Sequence, residues 1–164
     1  MYFPLEPLKQ PNGPVGIFWD IENLNVSDQL NLFNVVMKLR RLFIEDRQLR
    51  EGAFVVCCKM GTLAKKHNLQ LQNANASLKL IFDDKPGVAD HQIMLDLQAF
   101  AQQHKESATI VLLSGDRDFI RSISDLRFRH QQYIILIHNQ QARQELVKTA
   151  IFSLALLSLL FLKI

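Results

Sequence analysis

Apolar residues along this chain fall into two alternating patterns. Four short runs, VGIFW, AFVVCC, TIVLL and YIILI, are apolar at nearly every position. Between them lie longer stretches in which apolar residues recur every three or four positions. The first pattern suits strands buried on both faces, and the second suits helices with one apolar stripe. Strands are therefore predicted over Val15–Trp19, Ala53–Cys58, Leu78–Phe82, Thr109–Leu113 and Tyr133–His138. Helices are predicted over Leu30–Ile44, Thr62–Gln72, Val88–Gln103 and Phe119–Phe128, and from Gln141 onward. Ser27 is the expected N-cap of the first helix, and Gly52 its expected stop. The segment DDKPG reads as a loop.

Strands and helices in strict alternation imply an α/β fold, a three-layer α/β/α sandwich around a mainly parallel five-stranded sheet. Right-handed crossovers make such a sheet doubly wound and Rossmann-like. Sites in these sheets lie beyond the carboxyl ends of the strands, where the strand order reverses. That rule directs attention to the residues immediately after each apolar run.

The ends of the chain read differently from its middle. Pro4, Pro7, Pro11 and Pro14 oppose helix, so residues 1–14 are expected to form a flexible lead-in. The lead-in lacks the basic-then-apolar pattern of a signal peptide, and a cytoplasmic setting is expected. Residues 15–150 form the expected domain, and 151–164 an apolar C-terminal helix or tail. Counting Ala150, the tail is an unbroken apolar or small run of thirteen residues between Lys148 and Lys163. A membrane-spanning helix takes about 20 such residues. The tail is therefore expected to pack on the sheet, on a partner chain or on a second copy, and not in a membrane.

The composition, 48% hydrophobic and 21% charged, supports a real core. A net charge of +3 permits a polyanionic partner without demanding one. Adjacent Cys57 and Cys58 on one strand point to opposite faces, so they read as separate reduced core residues and not as a disulfide or a shared metal site.

The acidic residues change the picture most. Asp20 directly follows the first strand, and Asp116 and Asp118 follow the fourth in the segment SGDRD. Asp90 lies in the first turn of a helix whose core stripe continues through Ile93, Leu97 and Phe100, so it tops the core-facing side. If strands one and four flank the switch point, these acids converge in one crevice. Asp96 falls on another face of its helix and reads as a solvated residue. Glu22 and Asn23 stand close enough in sequence to line the same crevice, with Asn23 suited to a turn, to holding Asp20 or to a metal-linked water. Converging carboxylates repel one another, and Mg²⁺ or Mn²⁺ is the natural counter-ion for an all-oxygen ligand set. Two such ions roughly 3.5–4 Å apart can polarise a phosphodiester, acidify water and stabilise a leaving oxygen. Each Asp taken alone also has an ordinary reading as a cap or turn residue. Their shared placement at one sheet edge favours a site.

FWDIEN (residues 18–23), VADHQIMLD (88–96) and LLSGDRDF (112–119) together resemble the motifs of the NYN family, a branch of the PIN-like nucleases. The order and spacing cover about Val15 to Ala150, and the stretch from Ser124 to Ala150 narrows the resemblance to one subgroup. The resemblance implies a PIN-like fold and a Mg²⁺- or Mn²⁺-dependent endoribonuclease acting on single-stranded RNA. It implies roles in mRNA turnover or germline RNA regulation. It assigns Asp20, Asp90, Asp116 and Asp118 as catalytic and metal-binding residues. Asn23 and Asp96 stand in a second tier, Asp96 because a second acid recurs there in the middle motif. One departure is that a basic residue often closely precedes the middle Asp in NYN domains, whereas here the nearest is Lys85.

RNA contacts are expected from basic side chains around the crevice, namely Arg117, Arg121, Lys85, Lys59, Lys65 and Lys66. Arg127 and Arg129, at a helix end, read instead as partners of the helix dipole. None of His67, His91, His104, His130 and His138 forms an evident pair with a lysine for cyclising chemistry, so hydrolysis by activated water is expected. Two other classes compete. One is a catalytically weak RNA-binding adaptor. The other is a Toprim-like DNA enzyme, suggested by the D-x-D of Asp116 and Asp118.

Overall fold

The computed structural model describes residues 11–161, so most of the proline-rich lead-in and the last three residues lie outside the described part. The strands are β1 (Pro14–Asp20), β2 (Arg50–Lys59), β3 (Ser77–Ile81), β4 (Thr109–Leu113), β5 (Tyr133–His138) and β6 (Phe152–Ala155). The helices are α1 (Leu32–Arg40), α2 (Lys65–Asn73), α3 (Val88–Gln103), α4 (Ile120–Phe128), α5 (Gln144–Thr149) and α6 (Leu156–Phe161). All strands pair in parallel in the order β3-β2-β1-β4-β5-β6. The order reverses between β1 and β4, as the doubly wound reading requires.

The expected sheet is corrected from five strands to six. The chain is not helical from Gln141 onward. After α5 it extends, pairs Phe152–Ala155 with Ile135–His138, and turns into α6. The apolar tail therefore packs on the chain's own sheet, with Leu156 and Leu159 buried in the core. No helix among the described residues is long and apolar enough to cross a membrane.

Two apolar layers cover the sheet. Val15, Ile17 and Trp19 of β1 meet α1, α2 and α6 on one face. Phe18 of β1 meets α3, α4 and α5 on the other, through Ile93, Leu97, Ile123, Leu126 and Leu146. Cys58 belongs to the first layer and Cys57 to the second, and both are free thiols. Burial, foremost, pushes the Cys57 thiol up to about 12, which makes it an unreactive core residue.

Two local departures have plain causes. Gly52 does not stop the first helix but lies inside β2, in a bulge where Val15 pairs Glu51 and Gly16 pairs Ala53. A Cβ on Gly52 would stand 2.9 Å from the Phe100 ring, and one on Gly16 equally close, so the two glycines make room for that ring. The first helix begins later than expected, at Leu32, with Asn31 as its cap. Asn31 Oδ1 accepts from the Phe33 amide at 2.9 Å, while Ser27 only closes a turn with Gln29 and Leu30. The helix then continues through a π-helical turn over Arg41–Glu45. Asn31→Ala is expected to cost about 1 kcal/mol, seen as a fall in Tm of roughly 2–4 °C. Ser27→Ala is expected to shift Tm by less, and a larger fall for Ser27→Ala would contradict this assignment of the cap.

Candidate active site

The carboxyl ends of β1 and β4 stand side by side, since Trp19 pairs with Leu113. Asp20 is the next residue after Trp19 and is only 2% exposed. Its Oδ1 accepts from the Asn23 amide at 3.4 Å, and its Oδ2 accepts from the Ser114 hydroxyl at 3.4 Å. Ser114 is fully buried, and its Oγ also accepts from the Asp116 amide at 3.2 Å. One hydroxyl thus ties the acid of β1 to the turn that carries the acids of β4. Asn23 adds a second tie, because its Oδ1 accepts from the Gly115 amide at 3.3 Å.

Beyond Ser114, Asp116 caps a single 3-10 turn over Arg117–Phe119, and its Oδ1 accepts from the Asp118 amide at 2.9 Å. Phe119 is fully buried beneath this turn and anchors it. The remaining acid arrives from the far edge of the sheet. Helix α3 crosses from β3 back over β2 and β1, burying Ala89, Ile93, Leu97, Phe100 and Ala101. That stripe fixes its rotation, and Asp90 in the first turn lands at the switch point.

Asp20, Asp90 and Asp116 line one cleft of about 270 Å³, together with Glu22, Asn23 and Lys59. One carboxylate oxygen from each of Asp90, Asp116 and Asp118 lies within 4.8 Å of the others, close enough to hold a metal ion. The donor set is entirely carboxylate, which fits a hard divalent cation and not a thiophilic one. The electrostatics point the same way. Asp90 is raised to about 7, first by burial, then by its hydrogen bond with Asp116 and the negative charges of Asp20 and Asp116. Asp20 is raised to about 6, again first by burial, with the Asn23, Asp90 and Ser114 hydrogen bonds pulling it partly back and the Glu22 charge adding to the rise. The folded chain holds negative charge here against its own preference, and a cation relieves it.

The structure separates the remaining candidates. Lys59, the last residue of β2, joins the cleft. Lys85 is exposed on the loop before α3, where its amide donates to Asp83. Lys65 and Lys66 stand in the first turn of α2, with the Lys66 ammonium on the Asp28 carbonyl at 2.8 Å. Arg117 is exposed on the 3-10 turn between the two acids. Arg121 lines a separate groove with Gln98 and Phe128. Arg127 donates to the carbonyls of Thr149 and Ala150 at the end of α5, and Arg129 pairs with Asp125, in keeping with structural roles for both.

Asp96 is not a solvated residue. Its side chain is 14% exposed and binds Lys79 of β3 at 2.5 Å and Gln92 at 3.2 Å, and it is not among the residues lining the cleft. The role of Ser114 is not apparent in the sequence, and Glu22, expected to line the crevice, also braces its wall. Glu22 Oε1 accepts from the Lys59 amide at 2.9 Å and the Thr62 hydroxyl at 2.8 Å, which pins the turn after β2 beside the cleft. A serine between an apolar strand and a Gly-Asp turn was the available signal for Ser114.

A parallel sheet of this order, with acids from β1, α3 and the turn after β4 meeting at its switch point, has PIN-like architecture. The sequence pattern of the NYN domain matches residues 14–155, and the chain belongs to the NYN domain family. It is 36% identical over 137 residues to meiosis regulator and mRNA stability factor 1 of Mus musculus, and 37% identical over 138 residues to that of Xenopus tropicalis. Each alignment covers 84% of this chain but only 8% of the relative, so the chain spans a small part of those proteins. A solved protein of unknown function from Vibrio parahaemolyticus shares the fold, with a TM-score of 0.67 at 15% identity, covering 90% of this chain and 95% of that one.

Proposed function

We propose that this NYN domain, with β6 and α6 as part of its sheet and core, is a metal-dependent endoribonuclease that hydrolyses single-stranded RNA. The observation that carries this reading is the convergence of carboxylate oxygens of Asp90, Asp116 and Asp118 within 4.8 Å, with buried Asp20 lining the same cleft. The names of the relatives, which refer to meiosis and mRNA stability, favour RNA over DNA and suggest work in mRNA turnover or germline RNA regulation. A cytoplasmic setting is part of the same proposal.

Asp90, Asp116 and Asp118 are the residues suited to holding Mg²⁺ or Mn²⁺, and Asp20 sets the charge behind them. When bound, such an ion neutralises the acids, polarises the phosphodiester and acidifies water. The chain's own groups perform the positioning. Ser114 and Asn23 hold Asp20 and the turn after β4 in one frame. Lys59, on the cleft wall, and exposed Arg117, on the turn between Asp116 and Asp118, are the basic side chains suited to meeting the phosphates of the strand. In the metal-free chain burial and neighbouring negative charge raise Asp20 and Asp90, and a bound cation would hold both ionised. The products of water attack carry a 5′-phosphate and a 3′-hydroxyl.

Incubation of labelled single-stranded RNA with Mn²⁺ or Mg²⁺ tests the reading. Cleavage that stops in EDTA is expected. RNA binding without cleavage at any metal concentration would establish the adaptor instead, and faster cleavage of DNA than of RNA would establish a DNA-processing enzyme on this fold.

A further inference from the structure

A second cavity, of about 510 Å³, lies beside the acidic cleft, beyond the carboxyl ends of β1 and β2. Its volume falls in the range of roughly 300–1,000 Å³ typical of small-ligand sites. Ile21, Val26 and Leu63 supply apolar wall, and Glu22, Asp28 and His67 supply polar groups. Glu22 lines both this cavity and the acidic cleft. Through it a ligand held here would adjoin whatever occupies the cleft.

His67 is the second, independent observation. It is 5% exposed, and its Nε2 is buried without a hydrogen-bond partner among the described residues. This nitrogen has almost no accessible surface, so a ligand in the cavity reaches it only if the ring turns toward it, and that turn recovers the cost of leaving it unpaired. The charges on the walls say what kind of ligand. Glu22 and Asp28 are carboxylates, and the only basic side chain in the lining is His67. The nearby Lys66 ammonium is already bound to the Asp28 carbonyl. Such a wall repels phosphate and accepts hydrogen bonds.

We propose that this cavity receives a guanine base of the RNA strand whose phosphate lies in the acidic cleft. The proposal rests on the ribonuclease reading for its substrate. Guanine alone among the four RNA bases presents two adjacent donors, N1–H and the 2-amino group, on its Watson–Crick edge, and a carboxylate accepts both at once. The aliphatic side chains cover the faces of the ring, as protein does around bases splayed from single strands. His67 meets a further polar atom of the base. This geometry makes Asp28 and His67 specificity-determining residues that take no part in the hydrolysis.

The test is an NMR titration of the whole chain in EDTA with the nucleosides guanosine, inosine, adenosine and uridine, which carry no phosphate for the metal-free acids to repel. It reads neither metal binding nor cleavage, so its failure is distinct from failure of the nuclease assay. Guanosine is expected to shift the His67 ring signals and the Gly61 and Thr62 amides, and to bind at least tenfold more tightly than inosine, which lacks only the 2-amino group. Asp28→Asn is expected to lower guanosine affinity at least tenfold while leaving the spectrum otherwise folded. No guanosine binding, equal binding of all four nucleosides, or guanosine shifts confined to the Asp90 and Asp116 signals, would overturn the proposal.

Discussion

Asp116→Asn is expected to lower RNA cleavage about 10²–10³-fold, the scale seen when one transition-state electrostatic contact is removed, with the fold left intact. The substitution is chosen because the local structure survives it. Asp116 Oδ1 caps the 3-10 turn by accepting from the Asp118 amide, and an amide oxygen can do the same. The Asp116 backbone amide still reaches Ser114 Oγ. What is lost is one negative charge among oxygens that lie within 4.8 Å of one another. Affinity for Mn²⁺ is expected to fall with activity, and the circular dichroism spectrum and Tm are expected to stay near wild type. Cleavage at the wild-type rate would remove Asp116 from the site and with it the metal-centre assignment.

Metal-free protein is expected to melt at a higher temperature at pH 5 than at pH 8. The sign follows from the direction of the two shifts. Asp20 at about 6 and Asp90 at about 7 both lie above the ordinary carboxyl value of 3.8. The folded state therefore binds these protons more tightly than the unfolded chain does. The stability this contributes is fully present below about 3.8 and is lost as pH rises through 6 and 7. With allowance for solvent screening at half-buried Asp90, the loss between pH 5 and 8 is on the order of 2 kcal/mol, or roughly 4–8 °C in Tm. Asp90→Asn removes one of the two raised groups, so it should flatten this dependence and raise the Tm of the metal-free protein at pH 8. Mg²⁺ or Mn²⁺ should stabilise the wild type at pH 8 more than at pH 5, because protons compete with the ion for the same oxygens. Differential scanning fluorimetry in EDTA, across pH and for both chains, measures all of this. A Tm that holds level or climbs from pH 5 to 8, equally in both chains, would show that the acids do not strain the fold.

Much of the site is legible in the sequence because its acids abut features that are themselves legible. Asp20 and Asp116 follow apolar runs whose burial on both faces marks them as central strands. Asp90 heads a stripe whose period of three to four sets the rotation of α3. The partners of these acids are harder to read. Ser114 carries no charge and stands in a turn where serine is common, so its bridge between Asp20 and Asp116 emerges only once β1 and β4 are neighbours. Asp96 points away from the core stripe, and only the pairing of β3 with β2 brings Lys79 against it. The sixth strand is hidden for a different reason. Ile151–Leu162 is apolar at nearly every position, and a run of that kind has no period from which helix or strand can be told. Its conformation depends on β5, whose free edge it joins. Gly52 misleads in a similar way, because a glycine that ends a helix and one that sits in a bulge look alike until the ring that needs the space is known.

The last strand has a consequence for anyone shortening this protein. With Phe152–Ala155 removed, the backbone donors and acceptors of Ile135–His138 would face solvent along an apolar, flat margin, which is a template for pairing with a neighbouring molecule. A fragment cut just after α5 would keep every acid of the cleft and yet tend to cling to its own copies. The acids of the candidate site and the strand that covers the edge of the sheet thus reside in different stretches of the chain.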